Sequence, residues 1–256
     1  MWSMKPYSRP CSVVNHRSCS ESAKIRSIGW PVSAAMIPST VSRVCRRSSA
    51  CTSTSTAEPP IPAEPPQKKG KQAELTWKGA TLPMLMEGYH VPGFSTTNVD
   101  LPALDVLAEL LFAERAPLYK KLVINEQKVE SLSGSADPHV DPNLFTVLAR
   151  IKKPGDIGYV QTAINDEVAR IAREGVDERT LAEVLSHVKY GFAGQLSTAD
   201  RTATTAASFI ALTGTLSSIN EYFALYDKVT SADVKRVAQF YFTPNNRTVV
   251  TLKAGK

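Results

Sequence analysis

The chain has 256 residues, of which 43% are hydrophobic and 21% charged, ordinary values for a globular protein with a substantial core. No run approaches the roughly eighteen apolar residues that span a bilayer. The net charge of +6 is confined to the head: residues 1–57 hold eight Lys or Arg and one acid (+7), and the rest hold 22 basic and 23 acidic side chains (−1). The body therefore offers no overall attraction for nucleic acid.

Residues 1–57 are rich in Ser, Thr and Arg and lack a sustained hydrophobic period. Three readings stay open: a disordered arm, a transit peptide, or a translated stretch from a start codon placed too far upstream. The compartment is not legible. All four cysteines (Cys11, Cys19, Cys45, Cys51) lie there without a C-x-x-C pair, so no zinc knuckle is expected. Residues 58–72, "EPPIPAEPPQKKGKQ", read as a Pro-rich linker, because Pro blocks helix and central strand alike. The folded domain is expected over 73–256.

"AELTWKG" and "LPMLMEGYHV" predict two strands, and "GFSTTNVD" a loop. Asp100 is expected to cap a helix with the stripe Leu101, Leu104, Leu107, Leu111 and Phe112. "APLYKKLVINEQKVESLSGSA" begins with helical spacing at Leu118, Leu122 and Val123. From Lys128 it turns to strand alternation, with Val129, Ser131 and Ser133 on one face and Glu130, Leu132 and Gly134 on the other. "DPHVDPN" is a turn and "LFTVLARIKK" a strand.

Ile157, Val160, Ile164, Val168 and Ile171 predict a helix that Gly175 ends in a left-handed cap. Asp177 opens the next, striped by Leu181, Val184, Leu185, Val188 and Phe192, and Thr198 opens another. Ser218-x-x-Glu221 and Thr230-x-x-Asp233 have capping-box form. "RTVVTLKA" closes as a strand. The order implies an α+β fold: a mostly antiparallel or mixed sheet with helices packed on one face.

The sequence shows no catalytic residue and no metal site. It has no H-x-x-E-H or H-E-x-x-H, no G-x-S-x-G, no P-loop and no G-x-G-x-x-G. Glu183 and His187, one helical turn apart, read as an i,i+4 surface pair. Asp137, His139 and Asp141 read as a surface turn, and Arg201 as a surface charge. Tyr222, Phe223, Tyr226, Phe240, Tyr241 and Phe242 read as core.

"YHVPGFSTTNVDLPALDVLAELL", the elbow "APLYKKLVINEQKVESLSGSA", the paired helices "AINDEVARIAREGVDERTLAEVLSHVKYGF" and the closing "VTSADVKRVAQFYFTPNNRTVVTL" together resemble the C-terminal, non-catalytic half of the insulinase/pitrilysin zinc metallopeptidases, which include processing-peptidase-like members. The resemblance implies half of a clamshell whose zinc sits in the other half. No cofactor is then expected in this chain. The expected partners are a peptide or unfolded protein and a zinc-bearing homologous half, either a separate chain or a missing N-terminal region. By the same resemblance, an Arg and a Tyr that reach the substrate in several branches are replaced by Val123 and Glu130. Asn125, Gln127 and Lys128 remain candidate donors to a peptide carbonyl. Two alternatives stand beside this reading: a scaffold subunit without proteolysis, and a tether to an anionic surface or nucleic acid through residues 1–57.

Overall fold

The computed structural model describes residues 64–255. The expectations for residues 1–57 and for the first part of the linker lie outside them. Five strands form one sheet: β1 (Lys71–Trp77), β2 (Met84–Val91), β3 (Val129–Ala136), β4 (Asn143–Ile151) and β5 (Arg247–Ala254), in the order β1-β5-β2-β4-β3. β1 runs parallel to β5, and the other pairs are antiparallel. Ordered contacts begin before Ala73. The Gln67 amide donates to the carbonyls of Asn245 and Arg247, tying the end of the Pro-rich stretch to the start of β5.

Strand alternation assigns the two faces. Phe145, Val147, Ala149 and Ile151 of β4, with Leu85 and Tyr89 of β2 and Val249 of β5, are buried beneath the helices. Their neighbours Leu144, Leu148, Met84, Met86, Val250 and Leu252 point to the opposite face and stay half-buried or exposed. Leu75 and Trp77 of β1 extend that face and are 54% and 61% exposed. The sheet is thus covered on one side only by the described residues.

Six helices follow the apolar periods: α1 (Asp100–Phe112), α2 (Ile157–Glu174), α3 (Glu178–Gln195), α4 (Ala199–Thr213), α5 (Ser217–Leu225) and α6 (Ser231–Tyr241). The whole expected stripe of α2 is buried. So is that of α1, where Leu104, Leu107 and Leu111 have no exposed surface; each such side chain stabilises the fold by about 1.5–3 kcal/mol relative to exposure. In α3 only Leu181 and Val184 are buried, and Leu185, Val188 and Phe192 pack partly against the core. Its second half therefore flanks an open cleft.

Asp177 caps α3 through the Thr180 amide, and Thr198 caps α4 through the Arg201 amide. Thr230 and Asp233 form the full capping box of α6. Four expectations fail. Asp100 does not cap α1: it lies in the first turn, where its amide donates to Asn98 Oδ1. Its carboxylate instead accepts from Arg236 Nη2 at 2.7 Å and Tyr241 Oη at 2.5 Å, joining α1 to α6. Ser218 is buried and its hydroxyl donates to the Thr215 carbonyl, so it caps nothing through Glu221. Gly175 has φ 75° and ψ −154°, a glycine-only region distinct from the left-handed helical cap. Phe240 is 70% exposed and outside the core.

Candidate functional site: the elbow and the bare face of the sheet

The elbow is built by an abrupt change of backbone. A single helical turn, Pro117–Tyr119, widens into a π-helical segment, Lys120–Asn125, a distortion often found at functional sites. Gln127 then takes φ 50°, the only positive φ of a non-glycine residue among those described. The Lys128 amide closes the turn on the Leu122 carbonyl at 3.0 Å, and the Lys128 carbonyl accepts from the Lys152 amide beside β4. The elbow is consequently closed on itself and fixed to the sheet where β3 begins.

The three expected donors have different surroundings. Asn125 and Gln127 are exposed, and their side chains make no hydrogen bond within the described residues. Lys128 is engaged: its Nζ donates to Asp156 Oδ1 at 2.8 Å and lies 4.6 Å from the Tyr159 ring centre. The bond to Asp156 holds the Lys128 ammonium above the usual lysine range. Tyr159 Oη donates to Glu126 Oε1 at 2.8 Å, while Glu126 Oε2 is buried without a partner. Asp156 and Tyr159 come from the turn and first residues that open α2. Nothing local in the elbow's sequence points to them, because the contact spans 33 residues for the tyrosine pair.

Val123 packs against the core, and Glu130 pairs with Arg150 on β4 at 3.1 Å. A register shift between Val129 and Ser131 alters the expected alternation of β3. Val129, Leu132 and Ala136 are buried together, and Ser131, Ser133 and Ser135 are exposed. The bulge is what brings Glu130 beside Arg150 at the margin of the uncovered face.

A positive φ costs a side chain with a Cβ about 1 kcal/mol. Gln127→Gly is therefore expected to raise stability by roughly 0.5–1 kcal/mol in urea unfolding. A loss of stability would show that the Gln127 side chain makes a compensating contact.

The residues do not fit a catalytic zinc. No group of three His, Cys, Asp or Glu side chains that could hold a metal exists among the described residues. Glu183 pairs with Arg179 at 3.0 Å, while His187 Nδ1 lies 3.4 Å from Glu109 Oε2, so the expected Glu183–His187 pair does not form. His139 sits in the β3–β4 loop, its carbonyl bonded by the Phe94 amide. No helix among the described residues is long and apolar enough to cross a membrane.

The family description "Peptidase M16 inactive domain" matches residues 36–187. Among solved structures, a protease from Helicobacter pylori is 23% identical, with TM-score 0.67, covering 77% of this chain and 48% of its own. The peptidase M16 inactive domain from Pseudomonas fluorescens is 14% identical, with TM-score 0.58, covering 77% and 46%. A chain of complex III2 from Candida albicans is 17% identical, with TM-score 0.60, covering 72% and 45%. The chain thus spans about half the length of each of these structures. No curated protein sequence matches it. The α+β sheet with its helices on one face, the family match and the shared fold lead to one conclusion: this chain belongs to the insulinase/pitrilysin (M16) peptidase family, as its inactive C-terminal domain.

Proposed function

We propose that the domain forms the passive wall of a peptide-holding chamber, opposite a homologous half that carries the zinc. The observation that carries this reading is the uncovered face of the sheet. Leu75, Trp77, Met86, Leu148, Val250 and Leu252 form a contiguous apolar surface that no described residue buries. An antiparallel sheet usually has a polar outer face, so an apolar one marks a binding surface. The elbow, which leads into the edge strand β3, exposes the amides of Asn125 and Gln127, donors suited to peptide carbonyls. Lys128 adds a positive charge partly neutralised by Asp156.

The test is anisotropy of a labelled, unstructured peptide lacking Lys and Arg. The chain alone is expected to bind it without cleavage and to support cleavage once mixed with a zinc-bearing homologous half. Gln127→Gly and Met86→Lys should each weaken binding about fivefold to tenfold, the loss expected for one good contact. Gln127→Gly is expected to stabilise the fold, so its effect cannot be blamed on unfolding. Absence of peptide binding both alone and with the zinc-bearing half would overturn the reading. The likeness to a chain of complex III2 supports a second reading, a scaffold subunit without proteolysis. That reading expects a stable assembly whose formation is indifferent to peptide.

A further inference from the structure

A cavity of about 410 Å³ lies between α1, β3 and α3, away from the elbow. Its volume is in the range of small-molecule sites. Asp105 and Glu109 enter it from α1, His187 from α3, and Tyr226 from the turn after α5. Phe112, Val188 and Phe192 supply apolar and aromatic wall, and Gly191 leaves one side open. No Lys or Arg lines it.

The two carboxylates are not equivalent. Glu109 is compensated by Arg115 at 3.2 Å, and His187 Nδ1 lies 3.4 Å from its carboxylate. Asp105 is held by neutral donors alone: Tyr226 Oη at 2.5 Å and Tyr222 Oη at 3.3 Å, both on Oδ2. The charges of Asp137 and Glu109 lie close enough to oppose its ionisation. The cavity therefore holds one uncompensated carboxylate among aromatic walls. A divalent cation needs several oxygen ligands, and one carboxylate among rings does not provide them. A planar, weakly hydrated monocation is matched on both counts, by charge and by ring faces.

We infer that this cavity is a binding site for a single planar organic cation, a guanidinium or amidinium group, with Asp105 as its counter-ion. The group could be carried by a free small molecule or by a basic side chain, and the site's chemistry is the same for both. Burial pushes the Asp105 carboxyl up to about 6, so the site is charged at neutral pH and loses its charge near pH 5. Binding is expected to be roughly tenfold weaker at pH 5 than at pH 7.5.

The experiment is an NMR titration of the full chain with ethylguanidinium chloride. Saturable shifts are expected at the amides of Gly134 and Gly191. Asp105→Asn keeps an oxygen for both tyrosines and should weaken binding at least tenfold. Gly191→Leu leaves Asp105 untouched; a Cβ at Gly191 meets nothing within 4 Å, so the side chain fills the cavity without strain. It should abolish binding in a folded protein. Parallel titrations with acetyl-Gly-Arg-Gly-amide and its Gln counterpart separate the sources. Tighter binding of the Arg peptide than of ethylguanidinium assigns a basic side chain, equal affinity assigns a free cation, and either upholds the site. The inference is overturned by non-saturable shifts, by affinities unchanged in both variants, by equal binding of the Gln peptide, or by displacement with calcium chloride. None of these outcomes bears on binding of an uncharged peptide at the elbow.

Discussion

Asp105→Asn is expected to stabilise the protein by about 2–3 kcal/mol at pH 8 and by almost nothing at pH 4. Burial raises the Asp105 carboxyl from 3.8 to about 6, against the hydrogen bonds from Tyr226 and Tyr222, and the charges of Asp137 and Glu109 add to the rise. The folded state thus takes up the Asp105 proton more readily than the unfolded chain. Its contribution to stability is greatest below pH 4 and falls as pH rises from about 4 to 6. The difference corresponds to about 3 kcal/mol once both states are ionised. Asn carries no charge to bury and keeps an acceptor for the two phenols. Asp100, Asp177 and Asp233 behave in the opposite sense, because their carboxyls are held below the usual range by hydrogen bonds. They are common to both proteins and cancel in the comparison. Urea unfolding of the two proteins at several pH values from 4 to 8 measures the gap. A gap that stays constant over that range would refute the assignment of the charge to Asp105.

Gly134→Ala is expected to cost about 2–3 kcal/mol, near the top of the range for overpacking. A Cβ on Gly134 would sit 2.3 Å from Cδ2 and 2.4 Å from Cε2 of Phe112. That ring is 5% exposed and is backed by Phe145, which has no exposed surface, at a ring separation of 6.3 Å. Phe145 blocks the ring's retreat into the core, so any relief must come by turning it out of its packed position toward the cavity between α1, β3 and α3. Phe112→Leu made in the Gly134→Ala background should therefore cost less than in the parent, with a coupling of about 1 kcal/mol or more. A double-mutant cycle by urea unfolding measures it, and strict additivity would mean that the strand moves rather than the ring.

The sequence and the structure agree most closely where the information is local. The α2 stripe needs only 3.6-residue spacing, and the Thr230–Asp233 box needs only four residues. Asp100 and Ser218 carry the same local signal and do something else with it. The carboxylate of Asp100 has a stronger donor in Arg236, 136 residues further on, and the Ser218 hydroxyl is drawn to the Thr215 carbonyl. The bulge in β3 is equally hidden, because Ser and Gly at alternate positions give no hydrophobic signal that an extra residue would break. At the candidate site the elbow's place was legible in its change of period. Its wiring to Asp156 and Tyr159 was not, because those groups arrive from the start of α2 through tertiary packing. Asp105 is hidden for the same reason. It is one of three acids on an otherwise apolar helix until Tyr222 and Tyr226 are brought to it.

The position of β5 also governs how the domain can be made. It is the last of the described elements to leave the ribosome, yet it lies second in the sheet, between β1 and β2. β2, β4 and β3 can zip together early, as antiparallel neighbours close in sequence. β1 must wait for β5, its only partner among the described residues, and one side of β2 stays unpaired meanwhile. At about 5–20 residues per second this interval lasts on the order of ten seconds or more. Throughout it, two strand borders are open to other chains, the situation that invites chaperone capture or misassembly. Sheet closure is thus the final event in the biogenesis of this domain, and the parallel β1–β5 pair is its seal.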